Sequence, residues 1–332
     1  MTNHGNMYGP NFTFLGIERC DLEKPETFKD ADVVIVGAPI DSGTSHRSGA
    51  KFGPQAIRMG DYLPHDGERP HLALRTDGLK DLKVVDAGDL IMNGGDLVGS
   101  LKLLEAATEK ISKAGAIAVV LGGDHSIASA DVAGIANHRG KGKVSMIHFD
   151  AHADTGADQF GALVGHGTPM RRLIENGHVR GDRFLQLGLR GYWPDDATLN
   201  WMRDQGMRSY EMTEIHHRGL KTVLDESFSI LTDGCDGVFL SVDIDVVDPG
   251  MAPGTGTPEP GGMTARELLE AVRRICLELP IVGIDVVEVA PPFDSADITA
   301  ILANRVVLEA FSAIALRKKG GSYSPTRNLL DR

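Results

Sequence analysis

The chain has 332 residues, of which 42% are hydrophobic and 24% are charged, a composition typical of a globular protein with a large buried core. Its formal net charge of -12 argues against nucleic acid as a partner, because phosphate binding requires basic surface. The cysteines are odd in number and lack CxxC spacing, so they indicate neither a disulfide framework nor a zinc knuckle: Cys20, Cys235 and Cys276.

The N-terminal residues 1–14 lack the basic and then apolar stretches of a signal peptide. No apolar run approaches the ~20 residues that span a bilayer, so we expect no membrane partner and a cytoplasmic setting. No linker-like segment interrupts the chain between residues 30 and 318. We therefore predict a single domain, 1–332, in which residues 1–30 form an N-terminal extension.

In chain order, eight apolar runs predict strands, near residues 32–37, 82–86, 116–121, 143–149, 183–188, 207–211, 237–243 and 281–288. Helical patterns lie between most of them. The clearest are 96–115, with an apolar stripe that includes Leu101 and Leu104, and 263–279, where Thr264 and Glu267 form a capping box. This alternation predicts a mostly parallel sheet that is covered on both faces. Eight strands would equally suit a closed TIM barrel.

Three short motifs each follow an apolar run: LGGDHS (121–126), DAHAD (150–154) and SVDIDVVDP (241–249). Side chains alternate along an extended chain, so the acidic and histidine side chains within DAHAD share one side, as do those of Asp243 and Asp245. Buried like charges repel one another and lose hydration unless a cation compensates them. We therefore predict two metal ions held by His125, Asp150, His152, Asp154, Asp243 and Asp245.

Four carboxylates and two imidazoles without a cysteine favour Mn²⁺, while Ni²⁺, Co²⁺ and iron stay open. Two such ions a few ångströms apart lower the pKa of bound water and generate a hydroxide nucleophile. The motifs thus predict hydrolysis. Asp124 and Asp248 sit in turns, and we expect them to support the ligands rather than to bind an ion.

Taken in order, these motifs resemble those of the ureohydrolases, the arginase and agmatinase superfamily. The resemblance runs from about residue 30 to 318 and includes GTSHRSGAKFGPQAIR (43–58), GHGTP (165–169) and DVVEVAPPFD (285–294). It implies an open three-layer α/β/α fold rather than a barrel. It also implies that Asp150 and Asp243 bridge the two ions, and that the chain forms a homo-oligomer, a trimer or hexamer.

The resemblance assigns two further residues roles that their chemistry supports. Glu288 is a charge within an apolar run, and a planar guanidinium is its bidentate partner, although a structural arginine would also satisfy it. His166 lies in a glycine-flanked loop, and an imidazole is suited to deliver a proton to a leaving amine at neutral pH. The predicted catalytic residues are His166, Glu288 and Asp154.

The favoured reaction is hydrolysis of a linear guanidino compound to urea and an amine, with agmatine giving putrescine. Within the superfamily, VEVAPPFD and GHGTP resemble agmatinases and guanidino-acid hydrolases more than arginases. Arginases usually carry polar contacts for an amino acid head group after the metal loop, and the segment 155–165 contains neither Asn nor Ser. Asp158 and Glu259 in the loops favour a cationic substrate tail, whereas Arg47 or Arg190 would hold a carboxylate. The alternatives are a guanidinobutyrase or guanidinopropionase, a non-catalytic subunit and a deacylase.

Overall fold

The computed structural model describes residues 12–62 and 68–328. All eight predicted strands are present in one parallel sheet with the order β2-β1-β3-β8-β7-β4-β5-β6. The sheet is open, with β2 and β6 at its edges, so the three-layer fold is confirmed and the barrel is excluded. The strands are β1 Val33–Ala38, β2 Val84–Asp89, β3 Ile117–Gly122, β4 Val144–Phe149, β5 Val179–Leu189, β6 Arg208–Glu211, β7 Gly237–Asp243 and β8 Ile281–Val287.

The described chain forms ten α-helices: α1 Gly53–Met59, α2 Gly78–Asp81, α3 Leu97–Lys113, α4 Ala128–Arg139, α5 Pro169–Glu175, α6 Asp196–Asp204, α7 Met212–Arg218, α8 Leu220–Thr232, α9 Ala265–Glu278 and α10 Ile298–Lys318. The two clearest predicted helices are confirmed as α3 and α9. The capping box at the start of α9 is present, with the Thr264 side chain accepting from Glu267 N–H.

Alternation along the strands divides the core into two apolar layers, one on each face of the sheet. Val33 and Ile35 of β1 face a layer that includes α8, α9 and α10, whereas Val34 and Val36 face a layer built with α3, α4 and α5. Residues in the middle strands are buried on both faces, which explains their continuous apolar runs.

Helix α10 is long and apolar enough to cross a membrane by length and composition alone, so the expectation that no such segment exists was wrong. Most of this helix is buried within the fold, where it packs against α9, α1 and α2. This is the environment of a core helix in a globular protein.

Residues 14–20 lie against the edge strand β2. Phe14 is buried, its N–H donates to Asp86 Oδ2 at 2.7 Å, and its ring meets Phe311 edge-on at 6.0 Å between centroids. Residues 1–11 of the predicted extension lie outside the described residues. The division into one domain with an N-terminal extension stays a prediction.

Gly134 allows α3 and α4 to approach closely. A Cβ built at this position would lie 2.2 Å from the backbone oxygen of Glu105 and 2.2 Å from Thr108 Oγ1. In an isolated helix, Gly134→Ala would gain ~1 kcal/mol of helix propensity. Here the two helices must move apart, so we expect a net loss of about 1–3 kcal/mol in the free energy of unfolding, measured by chemical denaturation.

Gly94→Ala is the matched control, because a Cβ at Gly94 meets nothing within 4 Å. Equal stability of the Gly134→Ala protein and the control would show that α3 and α4 separate at little cost.

Candidate active site

Four neighbouring strands, β3, β8, β7 and β4, end at the same edge of the sheet and carry the predicted site residues. Ligand sites of open parallel sheets lie at this edge because the loops leaving the strands converge there. His125 follows β3, Glu288 follows β8, Asp243 closes β7, and DAHAD begins directly after β4. The sheet thus brings together segments that are as far apart in sequence as residues 125 and 288.

The first cluster surrounds the His125 ring. Nδ1 of His125 lies 3.1 Å from Oδ2 of Asp150, 3.1 Å from Oδ2 of Asp154 and 3.1 Å from Oδ2 of Asp243. All four side chains are buried. A single ion could therefore contact donors from β3, β4 and β7 at once.

The second cluster lies on the other side of Asp150. Nδ1 of His152 is 3.1 Å from Oδ2 of Asp245 and 3.4 Å from Oδ1 of Asp150. Asp150 thus places one carboxylate oxygen in each cluster, as a bridging ligand would. Oδ1 of Asp243 instead accepts the backbone N–H of Asp245 at 2.9 Å, so bridging by Asp243 stays a prediction.

This donor set fits divalent cations. Across residues 12–62 and 68–328, the ion pairs recorded for the four clustered carboxylates involve imidazoles and neither lysine nor arginine. Burial, reinforced by the charges of Asp245 and Asp150, holds the pKa of Asp243 well above its usual range. Two cations would relieve this repulsion, and oxygen and nitrogen donors without sulfur suit Mn²⁺, Co²⁺ or Ni²⁺.

His148 is a further site residue that the sequence motifs did not predict. Its Nε2 lies 2.8 Å from Oδ2 of Asp150, and its Nδ1 lies 3.1 Å from Nε2 of Gln186, which also donates to Ala153 O at 2.7 Å. His148 therefore belongs to the first cluster, either as a ligand or as a donor that orients Asp150. The alternation that grouped the DAHAD side chains also places His148 on their side of the strand, so the pattern contained this information.

Asp124 and Asp248 shape loops around the ligands. Oδ2 of Asp124 accepts Gly43 N–H at 2.7 Å, and Oδ1 accepts Ser126 N–H at 3.0 Å. Asp248 accepts the N–H groups of Gly250 at 2.9 Å and Gly261 at 2.8 Å. Both carboxylates thus fix turns.

Glu288 is buried and has a positive φ of 62°, a backbone conformation that is uncommon for residues other than glycine. Its Oε1 accepts the backbone N–H of His125 at 2.8 Å and lies 2.9 Å from Nδ1 of His166. Its Oε2 is buried without a hydrogen-bond partner, and no arginine pairs with Glu288 in the described chain. A planar cationic substrate group would satisfy this oxygen.

His166 is also largely buried, with a relative exposure of 8%. Burial alone would lower the pKa of its ring, but the neighbouring Glu288 carboxylate outweighs burial and raises this pKa to about 9. For Glu288, burial acts in the opposite direction, and His166 outweighs it to lower the carboxyl pKa. The pair therefore favours imidazolium beside carboxylate, a proton source next to the unpartnered Oε2.

A cavity of about 420 Å³ opens over these groups, with walls that include Ser45, His152, Asp154, Asp158, His166 and Trp193. Asp158 is its exposed acidic residue, whereas Glu259 does not line it. The volume is of the size that binds a small molecule, with charged groups at the floor and aromatic rings at the mouth.

Neither of the two arginines proposed to hold a carboxylate lines this cavity. Nε of Arg47 donates to Gly256 O at 3.1 Å, and its Nη2 donates to Thr255 O at 2.8 Å. Arg190 donates through Nη2 to the backbone oxygens of Asp245 at 2.7 Å and Glu259 at 2.6 Å. Both guanidinium groups support loop backbones.

Residues 31–312 match the model of the arginase family. The chain belongs to this family. It is 37% identical to a guanidinobutyrase from Pseudomonas aeruginosa, over 87% of this chain and 88% of that one. It is 38% identical to a mitochondrial agmatinase from Gallus gallus, over 84% of this chain and 79% of that one. The structure of proclavaminate amidinohydrolase from Streptomyces clavuligerus superimposes with a TM-score of 0.80 at 33% identity, covering 94% of this chain and all of that one.

As a member of the arginase family, the chain is a metal-dependent hydrolase that acts on C–N bonds of guanidino compounds. The prediction of an enzyme is confirmed, and the alternatives of a non-catalytic subunit and a deacylase are set aside. The family's binuclear centre agrees with the two clusters that share Asp150.

Proposed function

We propose that the chain is an agmatinase, which uses two Mn²⁺ ions to hydrolyse agmatine to putrescine and urea. When bound, the two ions supply a nucleophilic hydroxide at neutral pH. His125, Asp150 and Asp154 would hold one ion together with Asp243. The other would be held by His152 and Asp245 with the two bridging carboxylates, Asp150 and Asp243.

Glu288 would orient the guanidinium. Its buried Oε2 has no other partner, while Oε1 is fixed by two donors, His125 N–H and the His166 ring. A charge-assisted hydrogen bond from the substrate would therefore hold the guanidinium plane in one orientation beside the clusters. His166 would supply the proton that the amine nitrogen requires as its bond to the guanidinium carbon breaks.

The charge of the cavity wall is the observation that favours agmatine as the substrate. Asp158 lines the cavity, whereas Arg47 and Arg190 are engaged with backbone oxygens elsewhere. A terminal ammonium is attracted to such a wall, and a terminal carboxylate is repelled by it. Guanidinobutyrate is the second candidate, since the chain's similarity to a guanidinobutyrase is as high as its similarity to agmatinases.

Agmatine and 4-guanidinobutyrate provide a sharp test because they differ mainly in the charge at the end of the tail. We expect kcat/KM for urea release to be at least about 10-fold higher for agmatine, the ratio given by ~1.4 kcal/mol of electrostatic preference. Butylguanidine, which has no terminal charge, should fall between them.

Asp158→Asn is the matched variant, because it removes the charge and keeps the shape of the side chain. It should narrow the ratio between the two substrates without changing metal content. A higher kcat/KM for 4-guanidinobutyrate in the wild-type enzyme would reject agmatine and leave the guanidino hydrolase assignment intact.

The physiological setting is also a proposal. We propose a cytoplasmic homo-oligomer, a trimer or hexamer, without nucleic-acid or membrane partners. The three cysteines are free thiols, which agrees with a reducing compartment.

A further inference from the structure

The loop of residues 43–45 belongs to the GTSHRSG motif, and it is held in one position beside His166. Gly43 O accepts the backbone N–H of His166 at 3.0 Å and Nε2 of Gln159 at 2.8 Å, while Gly43 N–H donates to Asp124. A Cβ at Gly43 would lie 2.9 Å from Ser126 Cβ, so only glycine permits this close approach. The loop therefore places Ser45 with little freedom.

Ser45 contacts Nε2 of His166, whereas Nδ1 of the same ring faces Glu288. Nε2 of His166 lies 2.6 Å from Ser45 Oγ and 2.9 Å from Ser45 N. The hydroxyl oxygen can accept a hydrogen bond from a protonated Nε2, and the backbone N–H can donate to an unprotonated Nε2. Ser45 thus offers His166 a partner both before and after the ring loses its proton.

Both Ser45 and His166 border the cavity. Ser45 is exposed and forms part of the cavity wall, whereas both ring nitrogens of His166 already have protein partners. When Oγ accepts from Nε2–H, its own hydrogen is free to point toward the substrate. A proton leaving His166 through Nε2 therefore meets Ser45 first.

We propose that Ser45 is a further catalytic residue, whose hydroxyl passes the proton from His166 to the leaving amine. This inference rests on the proposed function. As the C–N bond breaks, its electron pair goes to the amine nitrogen, which takes the hydroxyl proton of Ser45. Oγ takes the proton of His166 Nε2 in the same step, so Ser45 ends unchanged and His166 ends neutral.

The test compares Ser45→Ala, Ser45→Thr, His166→Ala and the double variant Ser45→Ala/His166→Ala, all loaded with Mn²⁺ and assayed for urea release from agmatine. We expect Ser45→Ala to lower kcat by about 10- to 100-fold, with KM and metal content unchanged. Ser45→Thr keeps the hydroxyl and should stay within a few-fold of wild type. Because both residues serve one proton path, the double variant should be no slower than His166→Ala alone.

Ser42→Ala is the control for the loop itself, since Ser42 is exposed in the same loop and is not part of the cavity wall. Wild-type kcat in Ser45→Ala, or a double variant slower by the product of the two single effects, would overturn the role of Ser45. A wild-type protein that releases no urea from any guanidino compound would instead overturn the proposed function, and this inference with it.

Discussion

Asp150→Ala is expected to remove both metal ions and to lower kcat by on the order of 10³-fold or more, because the nucleophile itself is lost. Asp150 is the residue whose two carboxylate oxygens face different clusters, 3.1 Å from Nδ1 of His125 and 3.4 Å from Nδ1 of His152. Its loss therefore weakens both positions at once. Metal analysis of the purified protein, together with urea release, measures the effect.

Two variants serve as controls for this result. Asp245→Asn changes a carboxylate of the second cluster alone, so it should retain about one equivalent of metal. Asp158→Asn changes an exposed carboxylate at the cavity wall and should retain two. An Asp150→Ala protein that still holds two equivalents and turns over substrate would show that the clusters do not share this ligand.

Glu288→Gln is expected to keep the fold and both ions while lowering kcat/KM by roughly 2 kcal/mol or more, about 30-fold, because a charged contact to the guanidinium becomes neutral. The amide oxygen of glutamine can still accept from His125 N–H and the His166 ring, as Oε1 of Glu288 does. The amide NH₂ would then occupy the position of Oε2 and face the donors of the guanidinium.

Steady-state kinetics with agmatine measures this loss, and metal analysis with thermal unfolding controls for damage to the site. Glu288→Ala is a poorer choice because it also removes the hydrogen-bond partner of His166. Near-normal turnover of Glu288→Gln with intact metal would show that Glu288 is a structural acceptor and that the guanidinium is oriented by other groups.

Strands and clustered ligands could be predicted because both leave local patterns in the sequence. Apolar runs marked all eight strands, and alternation placed the acidic side chains of DAHAD on one side. His148 was not predicted as a site residue although it follows the same alternation, because an isolated histidine within an apolar strand has no distinctive local pattern. The strand order decides which of these side chains become neighbours at the edge of the sheet, and local periodicity does not specify that order.

Contacts between distant loops could not be predicted from the sequence. Arg47 and Arg190 were reasonable candidates for a substrate carboxylate, yet their guanidinium groups bind backbone oxygens of the segment 245–260. Glu259 does not line the cavity, although Thr257 of the same loop does. Ser45 was not predicted as a site residue because serine is common in glycine-containing loops. Its distance to His166, which distinguishes it, is visible only in the structure.

The strand order also determines how late the active site can form during synthesis. Strands β1–β3 make one half of the sheet and β4–β6 the other, while β7 and β8, the last to be made, fill the gap between them. The inner edge of β4 has no partner until β7 is complete at residue 243, and the inner edge of β3 has none until β8 is complete at residue 287. Unpaired strand edges can associate with other chains. The two halves of the sheet therefore cannot join until β8 is complete, and the nascent chain is exposed to aggregation until then.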